Sequence, residues 1–145
     1  MTEPKYVVKA LRSIAEQNGG LLKPEDVVES ARPLKSPLHS KFTWDDTEAA
    51  HQFRLEEARK LIRTTIEYIE VGGKDHSYRV FCSLTPDRDN KGGGYRETTA
   101  VLSNRQFRNQ LLEDARSEME RFSSKYERLQ ELAGVIKEIR KALAA

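Results

Sequence analysis

The chain has 145 residues, enough for one ordinary domain or for a small domain carrying a helical arm. A third of it is charged, no apolar run approaches a membrane span, and the N-terminus lacks the apolar core of a secretion signal, so a soluble cytoplasmic protein is expected. Its 25 Lys and Arg against 23 Asp and Glu leave a net charge of +2, which neither demands nor excludes a nucleic acid; the lone Cys82 excludes an internal disulfide.

In chain order, Val7, Leu11 and Ile14 share one face of a helix from about Tyr6 to Gln17, and Asn18-Gly19-Gly20 ends it. Pro24 suits the first position of a second helix, with Glu25 and Asp26 in its first turn and Val27, Val28 and Ala31 on its apolar side. Residues 32–43 carry Pro33 and Pro37 and read as an irregular connection. Leu34, Leu38, Phe42 and Trp44 are too apolar for a free linker, so several of them are expected to pack on the core.

A third helix is predicted from an N-cap at Asp45, with Glu48 in the capping-box position, to about Arg63. Ala50, Phe53, Leu61 and Ile62 are its expected inner face. Residues 64–71 are β-branched and aromatic, Gly72-Gly73-Lys74-Asp75 makes a turn, and a second strand alternates. Tyr78, Val80, Cys82 and Leu84 fall on one of its faces and Ser77, Arg79, Phe81 and Ser83 on the other. A glycine-rich loop from Pro86 to Gly94 follows, then a third strand over 95–102.

From Ser103, expected as N-cap with Gln106 completing a capping box, the pattern changes period. Leu112, Ala115, Met119, Phe122, Tyr126, Leu129, Ala133 and Ile136 recur at alternating steps of three and four, the spacing of a coiled-coil-like seam. This C-terminal amphipathic stretch is one long helix or a helical hairpin, with Ser123-Ser124 and Gly134 as the places to bend. A continuous helix would run about 60 Å, more than a small domain covers, so residues 103–145 are read as an oligomerisation arm. Leu112, Met119, Phe122, Tyr126, Leu129 and Ile136 are its candidate contacts, giving a homodimer or higher assembly. A core helix within a monomer is the competing reading.

Three helices followed by two strands, within residues 1–102, are the order of a winged-helix-like domain. The fold class expected is therefore α+β: that three-helix domain with a small antiparallel hairpin or three-stranded sheet, then the long helix. In such a domain the third helix enters a groove of double-stranded DNA, which nominates Arg54, Arg59, Lys60 and Arg63. Lys74, Arg88, Lys91 and Arg96 are the candidate phosphate contacts. The long connection before that helix, and Asp45, Asp46 and Glu48 at its start, count against the reading, since acidic groups repel phosphates.

Other chemistries fail on spacing. Asp87-Arg88-Asp89-Asn90-Lys91-Gly92 has the outline of a calcium loop, but Lys91 and Thr98 stand where ligands belong. Gly92-Gly93-Gly94 lacks the Lys-Ser/Thr pair of a phosphate loop. One cysteine and His39, His51 and His76 show no metal spacing, and Glu56 and Glu57 point to different sides of a helix. No enzyme, metal or cofactor is therefore expected.

Several segments carry a resemblance. They are Pro24-Glu25-Asp26-Val27-Val28, Ser36-Pro37-Leu38-His39, Phe42-Thr43-Trp44-Asp45-Asp46, Ala49-Ala50, Arg54, and Ala58-Arg59-Lys60-Leu61-Ile62. With Gly94-Tyr95-Arg96 and Lys125-Tyr126-Glu127-Arg128-Leu129 they resemble a family of phage, prophage and mobile-element proteins whose activity is uncharacterised. The resemblance implies an intracellular, DNA-related setting and no catalytic residues. The expected function is a non-enzymatic, homo-oligomeric DNA-associated protein. The alternative is an interaction or scaffold protein whose C-terminal helix holds a protein partner without nucleic acid.

Overall fold

The fold is that of a computed structural model, which describes residues 4–44 and 47–145. Its architecture is α+β, and it divides into two compact units, Met1–Ser103 and Asn104–Ala145.

In the first unit, helix α1 (Lys5–Gln17) buries Val7, Val8, Leu11, Ile14 and Ala15. It stops where the Gly20 N–H donates to the Ala15 carbonyl at 2.8 Å. Strand β1 (Leu21–Leu22) leads into helix α2 (Pro24–Ala31), which starts on its proline. After an irregular connection, helix α3 (Glu48–Thr64) is followed by a hairpin of β2 (Ile66–Val71) and β3 (Lys74–Arg79). Gly72 and Gly73, at φ +61° and +78°, form its two-residue turn, a conformation open to glycine and costly for other residues. Strand β4 (Phe81–Cys82), helix α4 (Thr85–Asp89), strand β5 (Tyr95–Glu97) and helix α5 (Thr98–Ser103) complete the unit. Among the described residues the strands make two separate antiparallel sheets, one of order β1-β5-β4 and the other the β2-β3 pair.

The connection between α2 and α3 belongs to the core. Leu38 is wholly buried and Phe42 nearly so, whereas Leu34 is 86% exposed. A single 3₁₀ turn, His39–Lys41, is held from both sides. The His39 Nδ1–H donates to the Ala31 carbonyl at 3.0 Å, and Trp44 Nε1–H donates to the His39 carbonyl at 3.0 Å. The two rings stack at 5.0 Å, and the guanidinium groups of Arg32 and Arg54 lie 5.4 and 5.3 Å from the Trp44 centroid. Each such cation–π contact contributes about 0.5–2 kcal/mol, depending on desolvation.

Several expectations need correction. Asp45, the expected cap of α3, lies outside the described residues; the helix is capped by Thr47, whose hydroxyl accepts from Ala50 N–H at 3.1 Å. Phe53 is 56% exposed and Arg54 is buried in its stead, because the helix rotates to place Arg54 over Trp44. The alternating strand does not continue past Val80, whose backbone turns from one sheet into the other. The burial phase flips there, so Phe81 is wholly buried while Cys82 is only partly buried. The expected loop after Leu84 opens with α4, and the expected strand over 95–102 ends at Glu97, where Thr98 begins α5.

The second unit is a helical hairpin of α6 (Arg105–Tyr126) and α7 (Ala133–Ala144), joined through a 3₁₀ turn at Gln130–Leu132. The two helices pack on each other: Glu127 shares a groove with Ala133, Ile136 and Arg140, and Met119 shares one with Gly134, Val135, Glu138, Ile139 and Ala142. The cap of α6 is Asn104, whose side chain accepts from Phe107 N–H at 3.0 Å, one residue later than the expected Ser103. The chain breaks at 127–132, not at Ser123-Ser124, which sit inside α6 with Ser123 buried, nor at Gly134, which lies in the first turn of α7. The expected seam is thereby divided. Leu112, Met119, Phe122 and Tyr126 lie on α6, Leu129 lies in the turn, and Ile136 is buried on α7. Among the described residues no helix is long and apolar enough to cross a membrane.

If the α2–α3 connection is core, Leu38→Ala lowers the unfolding free energy by about 2–5 kcal/mol and Leu34→Ala changes it by less than about 0.5 kcal/mol. Denaturant titration of both variants measures the difference; equal effects would remove Leu38 from the core.

Candidate nucleic-acid interface

Helix α3 is amphipathic because Leu55, Ala58, Leu61 and Ile62 turn to the core. Its opposite face exposes Gln52, Phe53, Glu56, Lys60, Arg63 and Thr64. Cations gather toward the C-terminal half, the end that the helix dipole makes favourable for them. Lys60 and Arg63 are exposed, and Arg59 is half-buried and paired with Glu56 one turn back.

Arg54 is not part of this face. Its residue exposure is 3%, its Nη1 donates to the Thr43 carbonyl at 3.3 Å, and its plane covers Trp44. Nucleic acid cannot reach it, and its role is to hold the α2–α3 connection on α3.

The loop between β4 and β5 supplies the facing groups. Arg88 on α4 donates to the Ser83 carbonyl and the Thr85 hydroxyl, both at 2.7 Å, so its guanidinium is held against the base of the loop. Lys91 is exposed at the loop tip. Gly94 closes the loop against β1: an added Cβ there would lie 2.6 Å from Leu21 Cδ1 and 3.0 Å from Leu21 Cγ. A cleft of about 380 Å³ runs between this loop and α3, lined among others by Arg59, Ser83, Arg88, Asn90 and Gly92.

Arg96 is also withdrawn from any phosphate. It makes a two-pronged ion pair with Asp87, Nε to Oδ2 at 2.7 Å and Nη2 to Oδ1 at 2.9 Å, and both side chains are largely covered. This pair fastens α4 to β5, and its planar fork suits that task. Lys74 stands exposed at the far turn of the β2-β3 hairpin. The structure thus brings Arg59 and Arg88 to one cleft, leaves Lys60, Arg63, Lys74 and Lys91 exposed, and takes Arg54 and Arg96 into structural contacts.

One polar network was invisible in the sequence. Arg12 on α1 reaches Glu67 on β2 through Nη1 at 2.7 Å and Glu97 on β5 through Nε at 2.8 Å, and the Tyr78 hydroxyl donates to Glu67 at 3.0 Å. Its members come from α1 and both sheets, so no local pattern could reveal it. Burial pushes the Glu67 carboxyl up, but the hydrogen bonds from Arg12 and Tyr78 outweigh that and hold it below its ordinary value. Burial and the bond to Glu67 push the Tyr78 phenol up. The Cys82 thiol is also pushed up, chiefly by burial, which keeps it protonated and a poor nucleophile.

Glu67 stabilises the fold above the ordinary carboxylate range, and that contribution is lost as pH falls through its lowered value. Tyr78 stabilises it below the ordinary phenol value, and that contribution is lost as pH rises through the raised one. The Tm gap between the native chain and Glu67→Gln is therefore widest between about pH 5 and 9 and narrows on both sides. A gap that is flat with pH in thermal melts would show that the network is not coupled to folding.

Comparison with known proteins finds no family model, no curated protein and no solved structure that matches the chain.

Proposed function

We propose that the first unit is a winged-helix-like module that associates with duplex DNA, and that the second unit joins copies of the chain into a homo-oligomer. The observation that carries this reading is the order of the main sheet, β1-β5-β4, packed with three helices. A strand between the first two helices pairs with the last of two antiparallel strands that follow the third helix. In this arrangement the wing is the β4–β5 loop, and the β2-β3 hairpin is an insertion between the third helix and the sheet. Helix α3 and the wing share the cleft at which Arg59 and Arg88 meet. Lys60, Arg63 and Lys91 extend the same contact as phosphate partners, with Lys74 as an outlying one. Positioning by phosphate contacts gives association without sequence readout, which suits an architectural or regulatory protein of phage or mobile-element type.

Binding to a labelled random duplex, followed by fluorescence anisotropy over a salt series, tests this. Each phosphate contact contributes about −0.9 to the slope of log K against log salt, so Arg59→Ala with Arg88→Ala makes the slope about 2 units shallower. An unchanged slope removes the cleft from the contact surface. No binding at low salt favours the alternative, a scaffold protein that acts through the helical hairpin alone.

Self-association is supported by the apolar side chains that the hairpin leaves open. Leu112 is 52% exposed, Leu129 45% and Val135 53%, on a unit of only two helices. A two-helix layer gains stability by burying such groups against a second layer. Phe122→Asp then lowers the solution mass by light scattering while far-UV circular dichroism is retained. A variant with native mass would place the contact elsewhere.

A further inference from the structure

The inserted β2-β3 hairpin has two open edges of unlike character. Strand β3 reads Lys-Asp-His-Ser-Tyr-Arg, a charged and polar edge of the kind that resists further pairing. Strand β2 reads Ile-Glu-Tyr-Ile-Glu-Val, without proline, glycine or bulge. It keeps Tyr68 at 58%, Ile69 at 47% and Val71 at 55% exposure. A long, regular, apolar edge of that kind is a template for another strand.

The register says which backbone groups are on offer. Val71 and Lys74 close the two-residue turn, so they and every second pair, Ile69 with His76 and Glu67 with Tyr78, exchange the hydrogen bonds of the hairpin. The Val80 N–H donating to the Thr65 carbonyl at 3.1 Å continues the same phase. Ile66, Tyr68 and Glu70 therefore turn their N–H and C=O groups outward.

That edge opens onto a groove of about 930 Å³ between β2 and α1, lined among others by Lys5, Val8, Lys9, Ile66 and Tyr68. Arg12 is shared between Glu67 and Glu97, and Glu16 lines the groove further along α1, so the positive charge of the groove is confined to Lys5 and Lys9 in the first half of α1. At the outer end of the hairpin the charge is opposite. Glu70 stands directly across from Asp75, two carboxylates on neighbouring strands whose repulsion a cation would relieve.

We propose that β2 is a self-complementary association edge, which pairs antiparallel with β2 of a second copy of this chain about a twofold axis at Tyr68. Such pairing sets Ile66 opposite Glu70 of the second copy. Glu70 then enters the groove lined by Lys5 and Lys9, and the second Glu70 enters the equivalent groove. The open backbone valences, the exposed apolar residues and the Lys–Glu complementarity are satisfied together by one isologous contact. All of its residues belong to the first unit, and the contact does not depend on DNA binding.

Residue-resolved amide exchange on the full chain tests it. In concentrated protein the Tyr68 and Glu70 amides slow by about tenfold or more relative to dilute protein, while Ile69 and Val71, bonded within the hairpin, stay slow in both. Glu70→Pro removes one outward N–H without touching a hairpin bond and abolishes the slowing. Should proline disturb the hairpin, which the His76 and Tyr78 amides would report, Glu70→Lys serves instead. It removes the slowing, and adding Lys9→Glu restores it. Tyr68 and Glu70 amides that exchange at one rate at every concentration overturn the proposal. An oligomer by mass in which those two amides exchange freely overturns it equally, and assigns association to α6 and α7.

Discussion

The first unit turns on the backbone of Val80. Its N–H donates to the Thr65 carbonyl at 3.1 Å, the last bond of the exposed hairpin, and its carbonyl accepts from Thr98 N–H at 2.7 Å, the first bond toward α5. The Thr98 hydroxyl adds a bond to the Arg79 carbonyl at 2.7 Å, and the Val80 side chain is wholly buried. At this residue the chain leaves one sheet and enters the other. Within the first unit β4, the loop of Arg88 and Lys91, and β5 are placed by that change of sheet. A buried backbone group cannot be left without a partner at small cost, so the crossing is tightly determined.

Two further contacts keep the unit in one piece, and both use arginine away from solvent. Arg54 covers Trp44 and holds the α2–α3 connection on α3, while Arg96 grips Asp87 and holds α4 on β5. Planar guanidinium groups serve these sites because they stack on rings and match carboxylates with two parallel bonds. The same chemistry made them attractive as phosphate ligands in the sequence. Residue type alone cannot distinguish an arginine turned inward from one turned outward.

Elements governed by local rules were legible from the sequence. Pro24 at the start of α2, the glycine stop after α1, and the place of the hairpin turn are all decided within a few residues, although Lys74 and Asp75, expected in that turn, already belong to β3. So was the amphipathic pattern of the C-terminal region, read as one long helix or a helical hairpin and found as the two helices α6 and α7. What was missed depends on long-range partners. The burial phase of β4 flips because Val80 switches sheets, and the third strand ends at Glu97 because Thr98 is bonded to Val80 and Arg79. Of the eight cations singled out, Arg59 and Arg88 meet at a cleft and two others are consumed by packing.

The sequence by itself determined the α+β composition, the first two helices, the hairpin turn and the amphipathic character of the C-terminal region. Each follows from periodicity and turn chemistry that operate within one or two turns of chain. Only the tertiary structure decided which strands pair, where the C-terminal stretch doubles back, and which arginines face solvent. Those outcomes depend on Arg12 meeting Glu97, Arg96 meeting Asp87 and Arg54 meeting Trp44, encounters set by packing between elements that no local rule encodes.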